Sequence, residues 1–196
     1  EEPWGFFEVL HDCGALEHLI PDLASAMGQP AVPGSPPIRA LKCVHQSSGS
    51  VASDRVALNL AATLAGCLES VEAVDRMVAA IRADRATALL LRRVVGVAPY
   101  WEAGHRAEPD ALFEIANRWR AFNSKADIAA EIAVCEAQVA DSQLGQGLAI
   151  ALPPAQAVAV STLAVPDLSG AELGRALAVA RRAAMAAALH EAGLSP

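Results

Sequence analysis

The stretch that decides the fold is Glu108-Pro109-Asp110-Ala111-Leu112-Phe113-Glu114-Ile115-Ala116-Asn117-Arg118-Trp119-Arg120-Ala121-Phe122. Pro109 suits a first helical turn, where its missing N–H has no partner to lose. Leu112, Ile115, Ala116 and Trp119 then recur at the i, i+3, i+4, i+7 spacing of one helix face. The spacing predicts a helix over 108–122, with Trp119 on the core face and Arg118 and Arg120 away from it.

The same signals recur on both sides. Downstream, Ser124-Lys125-Ala126-Asp127 reads as a capping box. The helix after it carries Ile128, Ile132, Cys135 and Val139 on one face. The last helix starts at Ser169-x-x-Glu172 and stops at Gly193. Upstream, Asp84 caps a helix with Leu90, Arg92, Arg93 and Val94 that ends before Pro99. Ser70 caps one through Ile81, with Val74, Met77, Val78 and Ile81 on one face. A buried helix is expected at 53–66, after Ser48-Gly49-Ser50, and another at 38–47. Residues 28–37 read as a loop and domain boundary. Residues 4–27 read as two short helices broken near Gly14 and Pro21. The chain is thus expected to be all-α, an irregular bundle of eight to ten helices without a sustained repeat.

Composition agrees. The 196 residues are 54% hydrophobic and 4% aromatic, and 44 are alanine, which favours helices packed through small side chains. A chain of this length buries a core without disulfides or metal. Fifteen basic and 22 acidic residues give a net charge of −7, which excludes a whole-surface grip on nucleic acid and leaves only local basic patches. Cys13, Cys43, Cys67 and Cys135 are dispersed with no CxxC pair, so they read as free thiols in a reduced cytoplasm rather than zinc ligands. Glu1-Glu2-Pro3 is acidic where a secretory signal would be basic. Asp141 to Asp167 holds no charge in between, but polar and proline residues keep its apolar runs short of the ~20 residues that span a bilayer. It reads as a buried loop and short helix, with Gly145-Gln146-Gly147 a flexible loop and not a phosphate cradle. His11, His18, His45, His105 and His190 are scattered and read as surface or core side chains.

Phe6-Phe7, Gly14-Ala15-Leu16 and Leu19-Ile20-Pro21-Asp22-Leu23 resemble the segment ending the body of bacterial CCA-adding tRNA nucleotidyltransferases and related poly(A) polymerases. Pro109 to Cys135 and Asp167-Leu168-Ser169-Gly170-Ala171-Glu172-Leu173-Gly174, with Leu177 and Ala180-Arg181, are similar to later parts of that family. Departures are Asp22 for Glu, Gln29-Pro30 for Pro-Gln, and loss of the following His-Pro-Glu. The resemblance implies 1–30 as the end of the body, 31–37 as a linker and 38–196 as a helical tail of the HD phosphohydrolase type. In such tails a His-Asp pair helps to hold divalent metal. Residues 55–66 match that motif, but Ala61-Ala62 stand at the His-Asp place. His45 matches the first His without its partners, and Val97-Ala98-Pro99-Tyr100 lacks a later one. His11-Asp12 lies outside the motif.

The resemblance therefore implies a degenerate metal site, no catalytic or metal-ligating residue, and no cofactor in this chain. Mg²⁺ with ATP or CTP would serve a nucleotidyltransferase head in cis that these residues do not include. The partner implied is tRNA, held weakly through phosphates by Arg92, Arg93, Arg118, Arg120, Lys125, Arg181 and Arg182. No membrane is involved, and a homo-oligomer is possible. The alternative is an inert structural or oligomerisation module.

Overall fold

Arg55–Ala65 shows why this chain is helical and closely packed. Ala57, Leu58, Ala61, Ala62, Thr63, Leu64 and Ala65 are all buried, so this helix is enclosed on most of its circumference. Methyl-sized side chains make that possible, since neighbouring helices approach to short range around them. Thr63 satisfies its hydroxyl by donating to the Asn59 carbonyl one turn back, at 2.8 Å.

The computed structural model describes residues 2–28, 35–47, 55–102, 107–123, 128–139, 143–163 and 170–194. Among them there are twelve α-helices and no strand: α1 (Trp4–Asp12), α2 (Ala15–Leu19), α3 (Pro21–Met27), α4 (Pro36–Ser47), α5 (Arg55–Ala65), α6 (Val71–Ile81), α7 (Arg85–Val95), α8 (Ala98–Glu102), α9 (Pro109–Arg118), α10 (Ala129–Gln138), α11 (Leu144–Ala157) and α12 (Gly170–Glu191). Residues 4–27 form three helices, not two, because Gly14 at φ 74° and Ile20 each interrupt the chain. With α8, this takes the count past the expected eight to ten. α4 begins at Pro36, so Pro36-Pro37 open a helix instead of ending a linker. Residues 31–34 of the expected linker lie outside the described residues, as do Ser48-Gly49-Ser50, the Ser124 capping box with Lys125, and Ser169.

The chain divides into two compact units, residues 1–98 with 129–140, and residues 99–128 with 141–196. In the first, α5 packs on α4, α7 and α10. Ser70 accepts a hydrogen bond from the Ala73 N–H at 3.2 Å, and Asp84 one from the Thr87 N–H at 2.8 Å, so both expected caps form. The inner face of α10 differs from the expected one. Glu131, Val134, Cys135 and Ala137 are buried, while Ile132 is only half-buried. The difference comes from Glu131, whose carboxylate turns inward to meet Arg93 at 2.6 Å. Gln138 joins α10 to α5, donating from Nε2 to the Ala62 carbonyl at 2.7 Å.

In the second unit, α9, α11 and α12 pack against one another. Trp101 and Trp119 stack at its centre with ring centroids 5.7 Å apart. α9 is shorter than expected, ending at Arg118. Arg120 takes a left-handed φ of 55°, and the Ala121 N–H returns to the Ala116 carbonyl at 2.8 Å. The Gly145-Gln146-Gly147 segment is not a loop. Both glycines are buried within the 14-residue α11, and Gly147 sits where a Cβ would come within 2.6 Å of the Ala107 Cβ. α11 runs through Pro153 and Pro154, and Gln156 anchors its end by donating to the Ala121 carbonyl at 2.6 Å. Gly193 ends α12 as expected, at φ 70°.

Candidate nucleic-acid interface

Six of the seven candidate cations lie among the described residues, and their surroundings differ. Arg92 and Arg93 are neighbours on α7 and point different ways. Arg92 is exposed, with Nε 2.7 Å from the Asp75 carboxylate of α6. Arg93 reaches the Glu131 carboxylate, which is only 4% exposed. Desolvating a lone carboxylate is costly, so Arg93 is tied to the core by the group it neutralises.

The remaining candidates belong to the second unit. Arg118, at the end of α9, lies with its guanidinium 5.5 Å from the Tyr100 ring centre. Arg120 is exposed at the left-handed position that ends α9. On α12, Arg181 covers the Phe122 ring at 4.6 Å and Arg182 covers Phe113 at 3.9 Å. The two rings lie against each other, centroids 5.1 Å apart. Cation–π attraction and burial of the arginine stems thus fix this part of α12 to α9. Arg182 also pairs with Glu114 at 3.0 Å and Asp110 at 3.2 Å. Partial burial lowers the Arg181 pKa from its ordinary value, without discharging a guanidinium near neutrality. The structure therefore brings Arg181 and Arg182 together over an aromatic pair, and sets Arg118 beside Tyr100.

Among the exposed cations outside the seven candidates, two stand close together. Arg82 and Arg85 flank Asp84 at the corner between α6 and α7. The available signal was a helix ending on arginine where glycine is usual.

His45, on α4, meets the Trp4 ring edge-on at 5.8 Å, and Lys42 sits over the same ring at 5.1 Å. Trp4 therefore holds α1 against α4 between two side chains one turn apart. Ala61 and Ala62 are fully buried. Among the described residues no group of three His, Cys, Asp or Glu side chains could hold a metal ion. Burial pushes the Cys67 thiol up to about 12, with Asp22 adding to the effect, and raises Cys135 well above its ordinary value. Neither is an activated nucleophile. A depression is lined by Glu17, Pro21, Ala24, Ser25 and Gly28. Among the described residues no helix is long and apolar enough to cross a membrane.

The chain is 27% identical over 193 residues to a CCA-adding enzyme of Marinobacter nauticus, a match that takes in 97% of this chain and 49% of that protein. It thus spans about half the length of that relative. No protein-family model matches the chain, and no solved structure does.

Proposed function

We propose that this chain is the tRNA-contacting region of a CCA-adding tRNA nucleotidyltransferase, with nucleotidyl transfer carried out by a head outside these residues. One observation carries the reading: the similarity to a CCA-adding enzyme runs along nearly the whole chain and is not confined to one motif. Residues 1–30 then end the enzyme's body, and the residues from α4 onward form an HD-type tail whose metal site is degenerate. The buried methyls of Ala61 and Ala62 support that last point, since they offer a cation no lone pair. Mg²⁺ and ATP or CTP belong to the head's reaction, and the cytoplasm is the location that goes with it. The tail positions tRNA by shape and phosphate contacts, which carry no sequence information.

The experiment is filter binding of the purified chain to tRNA over a salt series. Neutralising about three or four phosphates gives a slope of log affinity against log salt of about −3. Reversing Arg118 and Arg120 to Glu weakens binding equally for all tRNA species. Equal retention by wild type and double variant rejects those two contacts. No retention by the wild type rejects the tRNA reading in favour of a structural module. The engagement of Arg92, Arg93 and Arg182 by carboxylates is the observation that favours that alternative.

A further inference from the structure

Among the described residues, two other than glycine hold a left-handed backbone, and both are arginines: Arg82 at φ 52° and Arg120 at φ 55°. They fill the same place in the same motif. After α6, the Arg82 N–H donates to the Ala79 carbonyl at 3.4 Å and the Ala83 N–H to the Val78 carbonyl at 3.0 Å. After α9, the Arg120 N–H donates to Asn117 at 3.0 Å, beside the Ala121 bond already described. Glycine is the usual occupant of this place, since a Cβ crowds the neighbouring backbone there. Gly193 fills it at the end of α12. Arg82 and Arg120 therefore hold a conformation that glycine would relieve. A cation is attracted to the negative end of a helix, but an arginine in the last helical turn supplies that attraction without a left-handed backbone. Strain held at an exposed position by the surrounding hydrogen bonds is a pointer to function.

The Arg82 corner has a second feature. Arg85 opens α7 three residues later, and both side chains are exposed. Carboxylates of this hairpin are engaged elsewhere. Asp84 accepts the Thr87 N–H at 2.8 Å and the Thr87 hydroxyl at 3.2 Å. Asp75 takes Arg92 at 2.7 Å. Glu72 is held by its own backbone N–H and by Ser70. Among the described residues neither Arg82 nor Arg85 stands in an ion pair.

We propose that the α6–α7 corner is a contact point for the phosphate backbone of tRNA, with Arg82 and Arg85 as its cations. The proposal rests on the tRNA reading above. Guanidinium groups match phosphate oxygens with a planar fork of donors. Two exposed cations with no enclosing walls make no cage for a small free anion, whereas a polyanion gains from releasing its condensed counterions. The contact fixes register on the RNA and reads no base.

The test is filter binding of the full chain to tRNA between about 50 and 200 mM salt, with melting temperatures measured alongside. Arg82→Gly is expected to melt at or above the wild-type temperature while its tRNA affinity falls about five-fold. Arg82→Asn, which tolerates the left-handed backbone without charge, loses the same affinity; Arg82→Lys keeps most of it. Arg82→Gly with Arg85→Gln lowers the salt slope by about 1.5. Arg76→Gln, another exposed cation of α6, changes little. If the double variant binds with wild-type affinity and slope, the proposal falls and the tRNA reading stands. If Arg82→Gly lowers the melting temperature, Arg82 serves to end α6 and the proposal also falls. Millimolar inorganic phosphate that erases the difference between wild type and double variant marks a small-anion site and overturns the RNA contact. A wild type that retains no tRNA removes the reading itself.

Discussion

Replacing Gly147 by alanine tests whether the uncharged stretch after Asp141 is a packed helix. The new Cβ would lie 2.6 Å from the Ala107 Cβ and 3.1 Å from the Leu112 Cδ1. Carbon atoms in favourable contact sit about 3.5–4.0 Å apart, so Ala107 must retreat by about 1 Å. It has little freedom to do so, because Ala107 and Leu112 are both fully buried. Overpacking of this kind costs about 1–3 kcal/mol. Alanine's better helix propensity returns about 1 kcal/mol. The net expectation is a loss of up to about 2 kcal/mol, or up to roughly 4–8 °C in melting temperature for a chain of this size. Gly174→Ala is the control. It also lies within a helix, α12, yet a Cβ there meets nothing within 4 Å. It should gain about 0.5–1 kcal/mol from propensity alone. Both glycines belong to the second compact unit, so circular dichroism melts should read the same transition. A Gly147→Ala variant as stable as Gly174→Ala would refute the packed helix and restore the flexible loop.

Three further outcomes are expected. Arg93→Met leaves the Glu131 carboxylate buried without its guanidinium, and urea denaturation should show a loss of about 2–3 kcal/mol, largely recovered by adding Glu131→Gln; a loss under about 0.5 kcal/mol would mean the pair is solvated. Asp84 is held below its ordinary pKa of 3.8, first by the Thr87 N–H, so its contribution is complete above that value and disappears as pH falls through the lower folded-state pKa. Asp84→Asn should therefore flatten the acid limb of the stability profile, and a parallel profile would contradict the cap. With Cys13 and Cys43 exposed and Cys67 and Cys135 kept protonated by burial, a disulfide reagent at about pH 8 should titrate two thiols quickly and two only on unfolding; four fast thiols would contradict the packing of α5 and α10.

What was legible in the sequence was what is local. Ser70 and Asp84 cap their helices with hydrogen bonds to residues three places on, and Pro109 and Gly193 mark boundaries by backbone chemistry alone. α11 was not legible. Its buried Gly145, Gly147, Leu148, Ala151 and Ala155 show little one-sided pattern, because α9 and α12 both pack against it. Glycine and proline then read as breakers, although Gly147 is there for close approach. The inner face of α10 was misread for a related reason. Nothing near Glu131 in sequence announces that Arg93, 38 residues earlier, will neutralise it. The end of α9 was missed because the left-handed residue is Arg120, not a glycine. Among the candidate cations, the sequence identified arginines but not their partners. The carboxylates facing Arg92 and Arg182 come from α6 and α9, through tertiary contacts.

The net charge of −7 weighs less against RNA than it first suggests, because it is unevenly placed along the chain. Residues 1–38 contain Glu1, Glu2, Glu8, Asp12, Glu17 and Asp22 and no lysine or arginine. Residues 39–196 carry all fifteen Lys and Arg against sixteen carboxylates and are close to neutral. At physiological salt, exposed charges beyond about 8 Å are largely screened, so a phosphate responds to the cations it meets and not to the sum over the molecule. The question is then which cations are free to meet it. Arg93 is committed to a buried carboxylate, and Arg182 to two carboxylates and a ring. Arg82 and Arg120 are exposed and held on left-handed backbone that glycine would occupy without strain. If the chain positions tRNA as proposed, cations fixed by backbone hydrogen bonds at helix ends would place phosphates better than long side chains already paired within the fold.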